Sequence, residues 1–387
     1  MANYDYEIVN GRKIRVRPKE TVSEIDKNGY FRRQPNHFTT PFGDGENDLK
    51  AEGNKRYRLV WAKLCHWSNR AAIVRELEGL EDQISVNMVE HAPHEKNLGW
   101  EYVYNENNID PVLGDQFLSE AYYRADDDYQ GRTTVPALID TTTGKVVNND
   151  YNWLTTYFEV NFRPWHKKGA PELYPVELRE EIDKMNLWLF DNINNAVYRS
   201  SFSRSNEGHF DGVNTFYAAM DRLEKRLETN RFLFGDYVTD SDIRLYVTLA
   251  RLDIRYTAQL GETKHPLYTY KNLWGYAKEL WEIPAFKNNT FFADFAVPPA
   301  DAKGRIEGEE DGFRASTHYD LALPKIDWDA QWKVSTERAY LSSDPTHSIY
   351  LGNNRRFDID PTWYDLGAES PKKEEKETPP SCGCCCG

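Results

Sequence analysis

The body of this sequence contains almost no cysteine. Four of the five cysteines, Cys382, Cys384, Cys385 and Cys386, lie at the very end of the chain, and only Cys65 precedes them. A body with one thiol has no internal disulfide framework, which favours a reducing compartment. We therefore expect a cytoplasmic protein in which Cys65 is either a small buried side chain or a reactive thiol.

An excess of positive charge and long apolar runs are also missing. The chain has 48 Lys+Arg against 62 Asp+Glu, a formal net charge of -14, so nucleic-acid phosphates and anionic membranes would repel it. It lacks the roughly 18 uninterrupted apolar residues of a membrane span, and its first residues do not resemble a secretory signal. These absences exclude nucleic-acid and membrane partners and favour a protein that handles small molecules.

The pattern from Tyr57 onward predicts an α/β domain after a polar N-terminal extension, residues 1–56. Residues 57–64 are typical of a strand, and the apolar residues that follow have helical spacing. A second strand covers 84–89, a hairpin covers 134–148, and a helix capped by Asn149 or Asp150 runs to about residue 158. This order of elements predicts a thioredoxin-like domain over residues 57–165.

The rest of the chain predicts an all-helical domain over residues 166–300. Its apolar residues recur at spacings of three and four, and Thr239–Asp242 forms a capping-box pattern before one of the predicted helices. Tryptophans predict an ordered C-terminal extension over residues 301–368. The Lys/Glu/Pro-rich stretch after it predicts a flexible tail, residues 369–387, that ends in the cysteine cluster.

Cys65 falls where the first predicted strand ends and the first helix begins. Unpaired N–H groups at a helix start stabilise a thiolate, the reactive form of cysteine. Ser68 completes a CxxS motif without a resolving thiol, so a second thiol must come from solution. Val135-Pro136 follows about 70 residues later, where a cis proline would let the Val135 backbone pair with a peptide-like thiol. The sequence alone favours trans, because only about 5–6% of X-Pro bonds are cis.

These motifs resemble, in order, those of the Xi-class glutathione transferases, the glutathionyl-hydroquinone reductases. The segments that carry the resemblance are Cys65-His66-Trp67-Ser68-Asn69-Arg70 against CPWAHR, Glu78-Gly79-Leu80-Glu81-Asp82 against KGLED, Gly99-Trp100-Glu101-Tyr102 against GWxF, residues 125–138 against ADPxYSGRxTVPVL, Asn148-Asn149-Asp150 against NNES, residues 240–245 against EADIRL, and residues 251–256 against RFDxVY. The resemblance covers residues 57 to about 295. It implies a thioredoxin-like domain followed by an all-α glutathione-transferase domain, and a homodimer.

The resemblance also implies a reaction and a site. Cys65 would attack the sulfur of a thioether between glutathione and a quinol, leaving a mixed disulfide that a second low-molecular-weight thiol, glutathione or another, resolves. The implied glutathione-binding residues are Trp100, Arg132, Val135, Asp150 and Tyr151; the implied quinol-binding residues are Tyr198, Tyr256 and Tyr319. Asp150 would hold an α-amino group, or it is only a helix cap; both interpretations stay open.

Two substitutions within the motifs separate this sequence from the family pattern. His66 replaces the proline that follows the nucleophile, and a charged imidazole there would further stabilise the Cys65 thiolate. Tyr151 replaces the serine that meets a ligand carboxylate, so a thiol other than glutathione stays open.

The terminal cysteine cluster supports an alternative function. The chain would then be a non-enzymatic thiol carrier or metal-capturing protein on the same scaffold. Adjacent thiolates suit Cu(I) or zinc, but the cluster lacks the spaced CxxC pairs of structural zinc sites. A resolving thiol is a third possibility for this tail, and we predict no metal site in the body.

Overall fold

The computed structural model describes residues 4–17, 23–92, 98–260, 265–295, 327–333 and 338–342. The strands there are β1 Tyr6–Val9, β2 Arg12–Arg15, β3 Tyr57–Trp61, β4 Ile84–Met88, β5 Glu90–His91, β6 Trp100–Glu101, β7 Ala137–Asp140 and β8 Lys145–Asn148. The α-helices are α1 His66–Leu77, α2 Leu118–Ala125, α3 Leu154–Val160, α4 Arg179–Leu189, α5 Ala196–Phe202, α6 Asn206–Arg226, α7 Asp240–Arg251, α8 Thr257–Leu260, α9 Lys271–Trp281, α10 Pro284–Asn288, α11 Phe292–Phe295 and α12 Trp328–Trp332. Two π-helical segments, Phe190–Asn194 and Leu252–Tyr256, follow α4 and α7; short 3-10 turns cover Glu106–Asn108, Arg163–Trp165, Val176–Leu178, Leu267–Thr269 and Ala339–Leu341.

The central sheet has the strand order β4, β3, β7, β8. β3 runs parallel to β4 and antiparallel to β7, and β7 and β8 form a hairpin. Helix α1 crosses from β3 to β4 and ends at Leu77, and Gly79 just beyond it has a φ of 72°, which suits the left-handed position after a helix. The thioredoxin-like fold is therefore confirmed.

Two predicted element boundaries were wrong. β3 ends at Trp61 rather than at residue 64, because residues 62–64 turn into the start of α1. The helix after β8 begins at Leu154, and a turn over residues 151–153 separates it from Asp150. The carboxylate of Asp150 accepts a bond from the N–H of Asn152, so it caps this turn and not α3 itself.

The helical domain packs directly on α1. Helix α7 is buried along its whole length and contacts both α1 and α4. It starts with the predicted capping box, in which the Asp242 carboxylate accepts from the N–H of Thr239 at 2.7 Å. Since α7 lies against α1, its C-terminal residue Arg251 reaches the loop that precedes Cys65. The all-helical glutathione-transferase domain is also confirmed.

The N-terminal extension crosses from one domain to the other. The β1–β2 hairpin buries Ile14 against Leu98 and Phe117. Further along, the carbonyl of Gly29 accepts from the N–H of Arg204 in the helical domain. The carbonyl of Phe38 accepts from the N–H of Asn149 after β8. Residues 29–38 thus lie over the cleft between the two domains.

Candidate active site

Cys65 occupies the N-cap position of α1. Its backbone is extended, with φ -84° and ψ 114°, and its side chain is buried. Its Sγ lies 3.8 Å from the carbonyl oxygen of Val135, so the fold joins two residues 70 positions apart. The Val135-Pro136 peptide bond is cis, as the fold required and the sequence alone did not indicate.

Ser68 is buried and bonds the backbone that leads into α1. Its hydroxyl accepts from the N–H of Ala62 at 3.1 Å and lies 3.2 Å from the carbonyl oxygen of the same residue. The serine of the CxxS motif therefore holds the end of β3 against the first turn of α1.

Arg251 holds the loop that carries Cys65. Its side chain is fully buried, and its guanidinium donates to the carbonyl oxygens of Lys63 at 2.7 Å and Leu64 at 2.8 Å. It also donates to Asn69 on α1 and to Val247 on its own helix. Arg251 therefore fixes the entry into α1, a role that no sequence pattern predicted.

Two tyrosines from the helical domain face the thiol. Tyr198 lies on α5 and Tyr256 ends the π-helical segment after α7. Burial first, and then the nearby Cys65, raise the pKa of Tyr198 to about 12. Burial, followed by the neighbouring Tyr198, raises the pKa of Tyr256 well above its usual range. Both side chains therefore remain neutral phenols at pH 7 and are able to donate hydrogen bonds.

His66 is a neutral residue in this site. It is fully buried, its Nδ1 lies 3.0 Å from the hydroxyl of Thr248, and its ring centre lies 5.1 Å from that of Tyr198. Burial first, and then the positive charges of Arg251 and Arg33, lower its pKa well below 6.5. The prediction that a charged His66 stabilises the Cys65 thiolate is therefore wrong, because burial and the nearby arginines both disfavour an imidazolium there.

Because His66 is buried in its neutral form, we expect acid to lower the stability of the wild type more than that of His66→Gln. A base whose folded pKa is depressed contributes stability above its unfolded pKa of about 6.5 and loses it as pH falls. Relative to His66→Gln, we expect the free energy of unfolding of the wild type to fall by up to about 1.4 kcal/mol per pH unit below 6.5. Urea unfolding between pH 5 and pH 7.5 measures this difference.

His166→Gln is the control of opposite sign. Burial opposes the charging of His166, but the bond and charge of Glu78, 2.9 Å from Nδ1, raise its pKa overall. Its contribution is full below an unfolded pKa of about 6.5 and disappears as pH rises through the folded value. Parallel pH curves for the wild type and His66→Gln would show that His66 is charged, or accessible to water, in the folded protein.

The predicted thiol-binding residues lie on the sheet side of Cys65. Trp100 is buried, and its indole N–H donates to the carbonyl of Thr133 at 3.1 Å, which braces the segment before Val135. Arg132 and Asp150 are partly exposed and buried, respectively. The structure thus brings the predicted residues together around one end of the sheet.

The extension supplies partners to these residues that the sequence did not reveal. Glu24 pairs with the guanidinium of Arg132 at 2.8 and 2.9 Å, and the side-chain amide of Gln34 bonds the backbone of the same residue. Asn36 donates to the carboxylate of Asp150 at 2.9 Å. Residues 23–38 have no periodicity, so no local pattern could have placed them here.

Aromatic side chains form the wall between the thiol and the extension. The Trp67 ring lies 4.8 Å from Tyr151 and 5.7 Å from Tyr198, measured between ring centres. Tyr151 also stacks on Phe190 at 5.9 Å. Arg33, from the extension, lies over Trp67 and Tyr198 at 4.5 and 4.6 Å.

Some of the predicted residues cannot be placed. Tyr319 and the terminal cysteines Cys382, Cys384, Cys385 and Cys386 lie outside the described residues. Within the part of the chain that is described, no group of three or more His, Cys, Asp or Glu side chains is arranged to hold a metal ion. The helices of that part include none that is both long and apolar enough to cross a membrane.

Comparison with known proteins gives consistent matches. Residues 197–279 match the family described as glutathione S-transferase, C-terminal domain. The glutathione S-transferase omega-like 2 of Schizosaccharomyces pombe is 34% identical over 277 residues, 69% of this chain and 87% of that protein. The glutathionyl-hydroquinone reductase YqjG of Escherichia coli is 33% identical over 237 residues, 61% of this chain and 72% of that protein.

Solved structures give the same result. The glutathione-bound structure of YqjG has a TM-score of 0.61 at 31% identity, covering 69% of this chain and 87% of that one. The Xi glutathione S-transferase of Phanerochaete chrysosporium has a TM-score of 0.64 at 33% identity, covering 70% of this chain and 87% of that one. The similarity therefore extends over most of the length of each relative.

Proposed function

This chain belongs to the Xi class of glutathione transferases, the family of the glutathionyl-hydroquinone reductases, and from this premise we propose that it removes glutathione from glutathionyl-hydroquinones. It is a glutathione-transferase-like enzyme, and its proposed thiol co-substrate is glutathione, which the structure of the relative YqjG contains. We further propose that it works in the cytoplasm as a homodimer. The single cysteine of the folded body supports the cytoplasmic location, and the family resemblance supports the homodimer.

One observation carries the proposal. Cys65 stands at the start of α1 beside the backbone of Val135, and Tyr198 and Tyr256 approach it from the helical domain. The sheet side offers a peptide-like thiol a backbone to pair with, while the helical side offers a quinol two phenol donors. A nucleophile between two such surfaces suits the transfer of a thiol from one carrier to another.

The proposed reaction has two displacements. The Cys65 thiolate attacks the glutathione sulfur of the conjugate, forming an S–S bond while the bond from that sulfur to the ring carbon breaks. The electron pair of the broken bond stays on the ring carbon, which takes up a proton, and free hydroquinone leaves. The thiolate of a second glutathione then attacks the mixed disulfide, releases oxidised glutathione and restores the Cys65 thiolate.

Tyr198 and Tyr256 act as hydrogen-bond donors in this proposal. Since the pKa of each is raised by burial, neither loses its proton at neutral pH. Their hydroxyl groups donate hydrogen bonds to the quinol oxygens. These bonds stabilise the negative charge that develops on the leaving ring. Tyr319 keeps its place as a proposed third quinol contact.

On the glutathione side, Val135 would pair with the backbone of the ligand and Asp150 would receive its α-amino group. Trp100 positions the segment before Val135 through its bond to Thr133. Arg132 carries a positive charge suited to a ligand carboxylate, which would compete there with Glu24.

The stoichiometry of the reaction tests the proposal. The purified chain is mixed with a glutathionyl-hydroquinone and excess glutathione in the absence of oxygen. We expect one hydroquinone and one oxidised glutathione per conjugate consumed. Release of hydroquinone without oxidised glutathione, or no consumption of the conjugate, would rule out the reductase reaction.

A further prediction concerns Tyr151. Trp67 and Phe190 hold its ring, so Tyr151→Phe removes only the hydroxyl at the position where the family has a serine hydroxyl. We propose that this hydroxyl donates to a carboxylate of glutathione. A hydrogen bond to a charged group contributes about 1.5–3 kcal/mol, so Tyr151→Phe should weaken glutathione binding about tenfold or more in calorimetric titration.

Tyr157→Phe is the matched control, because this tyrosine of α3 packs on Phe42 at 5.5 Å between ring centres. It should leave glutathione binding unchanged. If Tyr151→Ser binds glutathione more tightly while Tyr151→Phe binds as the wild type does, the tyrosine obstructs the site instead of contributing a bond.

A further inference from the structure

Arg33 is a cation of the N-terminal extension that has no acidic partner among the described residues. Its Nε donates to the side-chain oxygen of Asn195 at 3.0 Å, and its Nη2 is buried without a hydrogen-bond partner there. Neighbouring arginines differ. Arg32 pairs with Asp26 at 3.0 Å, and Arg132 pairs with Glu24. A buried N–H of a charged group without an acceptor is costly, so this donor fits an acceptor that a ligand brings.

The surroundings of Arg33 point to the cleft beside Cys65. Its guanidinium lies 4.5 Å from the ring of Trp67, 4.6 Å from that of Tyr198 and 5.5 Å from that of Tyr151. The charge of Arg33 acts on Tyr198, on which the charge of Cys65 also acts. A ligand that contacts Tyr198 near the thiol is therefore within reach of Arg33.

Arg33 belongs to the helical side of the cleft. Its anchor, Asn195, lies between the π-helical segment and α5, which carries Tyr198. Val135 and Trp100, by contrast, belong to the sheet side, where the glutathione backbone is proposed to bind. Arg33 lies closer to the rings of Trp67 and Tyr198, at 4.5 and 4.6 Å, than to that of Tyr151, at 5.5 Å, so an anion that meets it is placed nearer the quinol than glutathione.

We propose that Arg33 makes this enzyme selective for quinols that carry a carboxylate on the ring. The inference rests on the proposed function and adds the substrate class. With Nε engaged by Asn195, the two terminal nitrogens form a planar pair that matches the two oxygens of a carboxylate. The rings of Trp67 and Tyr198, over which the guanidinium lies, hold it at this side of the cleft.

The test compares two conjugates on the full-length protein. One is the glutathionyl conjugate of unsubstituted hydroquinone, and the other is that of 2,5-dihydroxybenzoate. Arg33→Gln should lower kcat/KM for the acid conjugate about tenfold or more beyond any change in kcat/KM for the neutral one. Arg33→Lys should restore part of the loss, since it keeps the charge without the planar pair.

Arg32→Gln is the matched control, because this neighbour is exposed and bound to Asp26. It should alter neither conjugate. An equal fall for both conjugates in Arg33→Gln, or no fall for either, would overturn the proposal. A rise in the KM for glutathione with an unchanged preference between conjugates would also overturn it, because the carboxylate would then belong to the thiol.

Calorimetry with the free quinols separates this inference from the proposed function. If the wild type turns over neither conjugate, the proposed reaction fails. Arg33 is then judged by binding alone. Tighter binding of 2,5-dihydroxybenzoate than of hydroquinone, lost in Arg33→Gln, would support the anion site, and equal binding of the two would overturn it.

Discussion

Cys65→Ser should reduce the release of hydroquinone from a glutathionyl conjugate by at least about a thousandfold, because it removes the nucleophile of the proposed reaction. A serine hydroxyl is almost fully protonated at neutral pH and does not attack sulfur as a thiolate does. The substitution preserves the shape of the N-cap, so the folded protein should keep its α1 and its glutathione site. The measurement is the initial rate of hydroquinone release, followed by chromatography.

Deletion of residues 381–387 is the companion experiment. It removes Cys382, Cys384, Cys385 and Cys386 while leaving Cys65 in place. We expect the truncated protein to retain the wild-type rate, since free glutathione resolves the mixed disulfide. Retained activity in Cys65→Ser together with loss in the truncated protein would move the nucleophile to the tail and refute the assignment of Cys65.

Arg251→Met should produce the largest loss of stability. The guanidinium satisfies the carbonyl oxygens of Lys63, Leu64 and Val247, and all of these lose a buried donor on substitution. An unsatisfied buried polar group costs about 1–3 kcal/mol, so we expect the free energy of unfolding to fall by about 3 kcal/mol or more. Urea unfolding at pH 7 measures the loss.

The rate per folded molecule separates the positioning role of Arg251 from simple destabilisation. Because Lys63 and Leu64 directly precede Cys65, their release should lower kcat as well as stability. Arg226→Met is the matched control, since Arg226 is buried and donates twice to the carbonyl of Leu233, away from the thiol. Arg226→Met should destabilise the protein without changing kcat. If kcat is the same in both variants, Arg251 does not position Cys65 for catalysis.

The fold could be predicted because its main elements are marked locally. Aromatic and β-branched runs predicted the strands, helical apolar spacing predicted the helical domain, and the capping box at Thr239 marked the start of α7. The motif around Cys65 placed the thiol at a helix start. Boundaries were less well determined: the turn over residues 151–153 depends on the bonds of Asp150 with Asn36 and Asn152. One of these partners lies more than 100 positions away.

The site was only partly predictable for the same reason. Cys65, Val135 and Tyr198 belong to recognisable motifs, whereas Glu24, Arg33 and Gln34 come from a segment with no periodicity. Their positions result from long-range contacts that only the folded chain reveals. The one feature of the sequence that indicated a binding role for this extension is that it combines arginines, glutamines and asparagines with aromatic residues.

His66 shows how burial overturns a prediction based on residue type. A histidine next to a cysteine suggests an ion pair, and the sequence contains no sign of what surrounds the imidazole. In the structure the nearby charges of Arg251 and Arg33 are positive, and the ring is fully buried. Both effects favour the neutral form, so His66 supplies no positive charge to Cys65.

Intact-protein mass spectrometry tests the proposed mechanism most directly. The protein lacking residues 381–387 is mixed with one equivalent of a glutathionyl-hydroquinone and no free glutathione. We predict one glutathionyl adduct per chain, located on Cys65, formed together with one equivalent of hydroquinone and removed by added glutathione. An adduct that carries the quinone ring, or turnover without any adduct on Cys65, would contradict the mixed-disulfide mechanism.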